Sequence, residues 1–194
     1  MDSHKALINF FLTAQIPKME GCFYSSNRGE ANARLATLFN FASKSGLNAN
    51  QASIVVASVG EITNNCFDHN SGFWMDAPGC VMSLSKSQNQ ITIGVADRGR
   101  GIIASLKEVM PAESDANTIM RAAFEKVISG RAPERRGNGL KFVRRNVESS
   151  SANALICFSN GQVFKVGKLA DPAPNSMPSA PSFGTLTFLQ WRVS

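Results

Sequence analysis

The sequence predicts an α+β sandwich, one mixed β-sheet with helices packed on one face. Three observations lead there. Helix-patterned segments come first, at 29–45 and from Asn50 to about Asn70. Two pairs of strand-patterned segments follow, at 80–86 with 90–96 and at 154–159 with 162–167, and a last strand covers 183–192. A helical stretch separates the two pairs, and this order of helices, strands, helices and strands suits a two-layer α+β arrangement. The chain has 194 residues, 43% of them hydrophobic, which is the length of one ordinary domain. A chain of this size buries roughly 70% of its unfolded surface, so it needs neither disulfides nor a structural metal.

Residues 3–14 read as a short helix and Gly21 to Ser25 as a strand, so 1–28 reads as an appendage to a domain at 29–194. Ala31, Leu35, Leu38, Phe39 and Ala42 recur at near-helical spacing, and Gly46 stops that helix. Asn50 is the expected N-cap of the next one. Ser71-Gly72 and Pro78-Gly79 mark a loop. Val81, Leu84, Ile91, Ile93 and Val95 alternate with polar residues around a turn at 87–89, the pattern of two antiparallel strands. Residues 102–110 and 114–129 read as helices parted by Pro111, and another helix follows Gly139. Asn160-Gly161 is a strong two-residue hairpin signal. Residues 169–182 hold four prolines and read as an exposed loop.

No apolar run approaches the ~20 residues of a membrane span, and Met1-Asp2-Ser3-His4-Lys5 is unlike a secretory leader. Cys22, Cys66, Cys80 and Cys157 form no CxxC pair, and His4 and His69 give no Cys/His ligand spacing. The expectation is a cytoplasmic protein with four reduced, mostly buried thiols and no membrane contact.

Charge is uneven. Residues 121–145 hold eight Lys or Arg against Glu125 and Glu134, which accounts for the whole net charge of +6. Between Lys44 and Lys86 there is no cation, while Glu61, Asp68 and Asp76 fall inside. The basic run suits a bound anion and the acidic stretch a cation such as Mg²⁺. The basic run makes a poor nucleic-acid platform, because only Phe124 and Phe142 interleave with it. A solvated helix face is the plain reading.

Four segments carry chemistry. On the helix from Asn50, Val55, Val59, Ile62 and Cys66 share the core side, while Ser58, Glu61, Asn65 and Asp68 share the other, with His69 at its edge. An ordinary solvated face would mix Lys into such a row. Gly60, inside this helix, costs about 1 kcal/mol relative to Ala and hints at close packing. Next, a buried-looking strand ends in Asp97-Arg98-Gly99-Arg100-Gly101-Ile102. A carboxylate at a strand end can accept from an amino group, and the glycines let backbone approach a flat ligand. Third, Gly137-Asn138-Gly139-Leu140 runs into a helix N-terminus, whose free N–H groups suit a phosphate. Last, Gly184-Thr185 opens the final strand, with Thr185 and Thr187 on one face.

In this order, Glu61-x-x-x-Asn65, Asp97-x-Gly99-x-Gly101, Gly137-x-Gly139 and Gly184-Thr185 resemble the N, G1 and G2 boxes and terminal Gly-Thr of the GHKL ATPase superfamily. The resemblance covers roughly residues 29–192. It implies a Bergerat-type, histidine-kinase-like ATPase fold holding ATP between helices and sheet. Glu61 would be the general base, Asn65 the Mg²⁺ ligand, and Asp97 the acceptor for the adenine amino group with Thr185 in support. Gly99, Gly101 and Ile102 would line the base, and Gly137, Asn138, Gly139 and Leu140 the phosphates, with His69 at the site and a lid at about 103–136.

Sensor kinases of the superfamily carry an upstream phosphoacceptor histidine. Here His4 is the one candidate, it lacks the usual following acid, and only 60 residues precede Glu61. Gyrase-type, chaperone and repair ATPases need a further domain, and this sequence stops two residues after Arg192. Glu61, Asn65 and His69 at four-residue steps look most like the anti-sigma-factor serine kinases, with Cys66 where alanine is usual. That resemblance implies a sigma factor and a STAS-type antagonist as partners, the antagonist being phosphorylated on serine. A nucleotide-gated binding module or ATPase switch without kinase activity is the other reading, and a second copy of the chain is a further candidate partner.

Overall fold

The computed structural model describes residues 2–70, 72–126, 138–169 and 183–193. The elements run α1 (Ser3–Thr13), β1 (Cys22–Ser25), α2 (Arg28–Lys44), α3 (Ala49–Asp68), β2 (Cys80–Ser87), β3 (Gln90–Asp97), α4 (Ile102–Leu106), α5 (Ala116–Glu125), α6 (Gly139–Glu148), β4 (Ala154–Ser159), β5 (Gln162–Val166) and β6 (Thr185–Arg192). The α+β class is as expected. The Pro-rich stretch of the 169–182 loop lies outside the described residues, apart from Leu169.

The six strands form one sheet in the order β1-β2-β3-β6-β4-β5. Every described pair is antiparallel, where a mixed sheet was expected. The reason is the return of β6. Two hairpins, β2–β3 and β4–β5, lie side by side, and β6 runs back between β3 and β4. Those two share a direction but never pair, so no parallel ladder arises. The second hairpin turns at Asn160 and Gly161, whose φ values of 49° and 75° fit the predicted turn.

Strand alternation gives the sheet two apolar faces. On one, Met82, Leu84, Ile93, Val95, Leu155 and Leu189 meet Val55, Val59, Ile62 and Cys66 of α3 together with residues of α2, α5 and α6. On the other, Val81, Ala96, Ile156, Phe158, Leu186 and Phe188 meet Leu7, Phe10 and Phe11 of α1. Helices on one face alone was therefore too few. A sheet apolar on both sides needs cover on both, and α1 supplies the second. Leu7, Phe10 and Phe11 are each fully buried, contributing about 1.5–3 kcal/mol apiece. Gly94 makes room, because a Cβ there would run into Leu7, Ser83 and Phe188.

Residues 1–28, expected as an appendage, thus supply an edge strand and a core layer. His4 is part of it. Its ring is fully buried, held by Ser83 Oγ at 2.8 Å and Ser85 Oγ at 2.7 Å, with Phe188 edge-on. All four cysteines are free and buried, as the spacing predicted.

The N-cap of α3 is Asn48, two residues before the expected Asn50. Asn48 and Gln51 form a reciprocal capping box, which satisfies two helix-start donors at once. Gly60 faces α2, where a Cβ would meet Leu35 Cδ1 at 3.4 Å, an ordinary contact that does not require glycine. Among the described residues, no helix is long and apolar enough to cross a membrane.

Candidate functional site

The register of the central strands lines up one transverse row at a single end of the sheet. Cys80 of β2 sits opposite Asp97 of β3, Asp97 opposite Thr185 of β6, and Thr185 opposite Ser159 of β4. Farther along the strands the same face is mostly apolar. At this end it is polar and abuts the C-terminal part of α3, where Cys66 and Asn70 stand. Asp97 is 3% exposed. Its Oδ1 accepts from Asn70 Nδ2 at 3.0 Å and from the Gly99 amide at 2.9 Å. Burial pushes its carboxyl up to about 6, against the pull of the Gly99 amide and of Cys66, Asn70 and Thr185. A hydrogen bond with Cys80, then burial, then the Asp97 charge hold the Cys66 thiol well above its usual range. The thiol here is a protonated neighbour, with no nucleophilic character.

The loop after Asp97 is held by two asparagines. Asn70 Oδ1 accepts from the Arg100 amide at 3.0 Å while its Nδ2 also reaches Cys66 O at 2.9 Å. Asn160 Oδ1 accepts from the Ile103 amide at 3.0 Å and its Nδ2 donates to Arg100 O at 2.9 Å. Ser159 Oγ accepts from the Ile102 amide at 2.9 Å. The two glycines make this possible. A Cβ at Gly99 would overlap the Asn70 side chain, and one at Gly101, where φ is 82°, would overlap Asn160. The close approach that the glycines permit in this structure is therefore to side chains of the chain itself. Gly184 N donates to Gly99 O at 2.6 Å and ties the start of β6 to the same loop.

Glu61 and Asn65 lie one turn apart on α3, both half-buried. Five residues of helix from Glu61 to Cys66 make roughly 7–8 Å of rise, which separates Glu61 from the Asp97 row, while Asn65 directly precedes Cys66. Glu61 meets the start of α6. A Cβ on Gly139 would collide with its carboxylate. The α6 N-cap, Asn138, makes no side-chain capping bond, so the Glu61 carboxylate is the anionic group against that helix start, where N–H groups and dipole favour negative charge. On the same turn Lys141 is 7% exposed, and burial and Arg145 push its ammonium down. Leu140 packs against the core beside it. Ser58, expected beside Glu61 on the polar side, is fully buried because α6 covers it, with Asn146 Nδ2 donating to Ser58 Oγ at 3.1 Å. His69 is the C-cap of α3, its amide donating to Asn65 O.

Gly137 lies outside the described residues, as do 127–136 of the expected lid. The earlier part of that lid is packed down. Ile119, Met120 and Phe124 of α5 are buried, and Phe124 stacks on Phe164 at 4.1 Å between ring centroids.

Two of the three acids in the cation-free stretch are neutralised by arginines from outside it. Asp68 pairs with Arg28 at the start of α2, and Asp76 takes a two-pronged pair from Arg98 with both bonds at 2.6 Å. Glu61 is the third. Spacing along the chain showed no Lys or Arg nearby, but the fold brings two in. Arg98 is the residue that sequence reasoning missed most completely. It is 4% exposed, donates to Phe10 O and Phe11 O at the end of α1, and stacks on Phe183. Its position between Asp97 and Gly99 was the only available signal.

The arrangement offers a buried acceptor at Asp97 and a helix start at α6 that favours negative charge, with α3 connecting the two. Among the described residues, no group of three or more His, Cys, Asp or Glu is arranged to hold a metal ion. A Mg²⁺ ion would have to share its coordination with phosphate oxygens, as that ion commonly does. No protein-family model matches the chain, and no curated protein matches it.

Proposed function

We propose that the chain is a Mg-ATP-binding protein of GHKL type that acts as a protein serine kinase of the anti-sigma-factor kind, on a STAS-type antagonist. The observation that carries this reading is the pairing of two ends along α3. A buried acceptor carboxylate, Asp97, stands at one end in a row with Thr185 and Ser159. At the other, the α6 start already accommodates the carboxylate of Glu61. The resemblance of the four motifs puts adenine at the first and phosphates at the second.

When bound, Mg-ATP supplies the transferable phosphoryl group. Asp97 would accept from the base amino group, with the Thr185 hydroxyl alongside. Asn65 would ligate the metal. The N–H groups at Gly139 and Leu140 and the Lys141 ammonium would neutralise phosphate charge, and Glu61 would take the proton from the attacking hydroxyl. Phosphoryl transfer needs positioning and charge neutralisation more than covalent help.

One observation favours the other reading, a nucleotide-gated module without kinase activity: the Glu61 carboxylate occupies the anion position itself, so nucleotide arrival must displace it. Glu61→Gln separates the two. As a base, its loss leaves Mg-ATP binding intact and cuts phosphoryl transfer by roughly 10²–10⁴-fold. Unchanged turnover in Glu61→Gln, or no transfer by the native chain to any STAS-type protein offered, leaves the gated module standing.

A further inference from the structure

Asn70 is 3% exposed, and each of its polar side-chain atoms is engaged. It receives the Arg100 amide, and it donates to Cys66 O and to Asp97 Oδ1. It also fills the space that the missing Cβ of Gly99 leaves open. No other side chain of the described residues bridges the end of α3, the Asp97 carboxylate and the loop that follows. Asn70 Nδ2 and the Gly99 amide both donate to Asp97 Oδ1, and the Cys66 and Thr185 side chains also engage the carboxylate.

We propose that Asn70 is the positioning residue for base recognition at Asp97: by bonding Oδ1 and the Arg100 amide together it fixes the plane in which the carboxylate would meet a ligand's exocyclic amino group. This rests on the reading of Asp97 as a nucleotide acceptor and names what makes it selective. The amide is suited to the task. It donates to the carboxylate with one end and holds the Arg100 backbone with the other, so carboxylate and loop move as one body. A carboxylate free to rotate would accept from a ring N–H as readily as from an amino group. The groups facing Asp97 from the packed elements are Cys66 of α3, Cys80 of β2 and Thr185 of β6. Arg98 turns away to Asp76 and α1, and the Arg100 guanidinium stacks on Phe73 and bonds Ser105. Of the side chains engaging this carboxylate, Asn70 is the one that also holds the loop after Asp97, through the Arg100 amide.

The test compares affinity for Mg-ATP and for the Mg complex of purine riboside triphosphate, which lacks the amino group, in the native chain, Asn70→Ala and Asn70→Leu. Asn70→Leu keeps the bulk beside Gly99 and removes the donor without adding a charge. The native chain should prefer ATP by roughly 10- to 100-fold, the worth of a hydrogen bond to a charged acceptor. Both variants should lose most of that preference while binding the analogue about as well as the native chain. The carboxyl carbon of Asp97, followed by NMR without nucleotide, should titrate at higher pH in both. Should Asn70→Ala fail to fold, Asn70→Leu and its titration decide alone. Retained preference with an unmoved Asp97 titration overturns the proposal and makes Asn70 a helix terminator. Absence of any preference in the native chain overturns the nucleotide reading of Asp97 instead.

Discussion

Asp97→Asn removes a charge that the fold tolerates at a cost, and the cost can be measured. Burial, the main cause, pushes the carboxyl of the folded chain up to about 6 from its ordinary 3.8. At 1.36 kcal/mol per pH unit, keeping it ionised at pH 7 costs the ligand-free protein about 3 kcal/mol. The sign follows from proton counting. Between pH 3.8 and about 6 the unfolded chain has released this proton and the folded chain has kept it. Stability therefore falls as pH rises through that window and levels off above it. In Asp97→Asn the amide oxygen can still accept from Asn70 and Gly99, while the nitrogen faces the Thr185 hydroxyl. The variant should be more stable than the native protein by up to about 3 kcal/mol at pH 7 and by almost nothing at pH 4. Urea unfolding at the two pH values reads the difference directly. A stability gap equal at both would refute the claim that a buried, ionised Asp97 carries this cost. The same substitution should weaken ATP binding, so stability and base recognition trade off at one residue.

Other perturbations test separate parts of the account. Gly60→Ala should stabilise the chain by up to about 1 kcal/mol, since its Cβ meets Leu35 at an ordinary 3.4 Å; thermal melts check it, and a loss of stability would mean α2 cannot give way. Asp76→Ala strips the buried Arg98 guanidinium of its carboxylate and should cost about 3 kcal/mol in urea unfolding. His4, buried and neutral with its pKa lowered by desolvation, should make stability fall as pH drops below 6.5. That slope opposes the one from Asp97, so it should stand out in the Asp97→Asn background and flatten when His4→Gln is added. Gly139→Ala puts a methyl against the Glu61 carboxylate and should weaken nucleotide affinity roughly tenfold or more, with a smaller effect when Glu61 is also Ala.

The sequence made some of this plain and hid the rest for definable reasons. α3 was readable because its apolar residues Val55, Val59, Ile62 and Cys66 recur at helical spacing and all four are buried on one side. The β4–β5 hairpin was readable because Asn160-Gly161 accepts the left-handed backbone that a tight turn imposes. The start of α3 was misplaced by two residues because Asn48 and Asn50 are equal candidates until the Gln51 partner is counted. The place of α1 was hidden: amphipathicity shows that a helix buries a face, and nothing in it names the surface that is covered. Long-range polar contacts were hidden too. Asn70 with Asp97, Arg98 with Asp76 and Asn160 with Ile103 join positions 27, 22 and 57 residues apart, and no local pattern announces such pairs. The motif glycines were legible as requirements for close approach, yet the sequence assigned that approach to a ligand, where Asn70 and Asn160 already take part of the space.

The central claim is that Asp97 and the α6 start are the two ends of one adenine nucleotide site, and titration calorimetry of the native chain with Mg-ATP and Mg-GTP tests it most directly. GTP carries a carbonyl where ATP carries the amino donor, so an acceptor at Asp97 must discriminate. The account predicts saturable Mg-dependent ATP binding, GTP weaker by roughly 5- to 150-fold, and a preference that shrinks in Asp97→Asn. Equal affinity for the two nucleotides, or no binding of either, would contradict it.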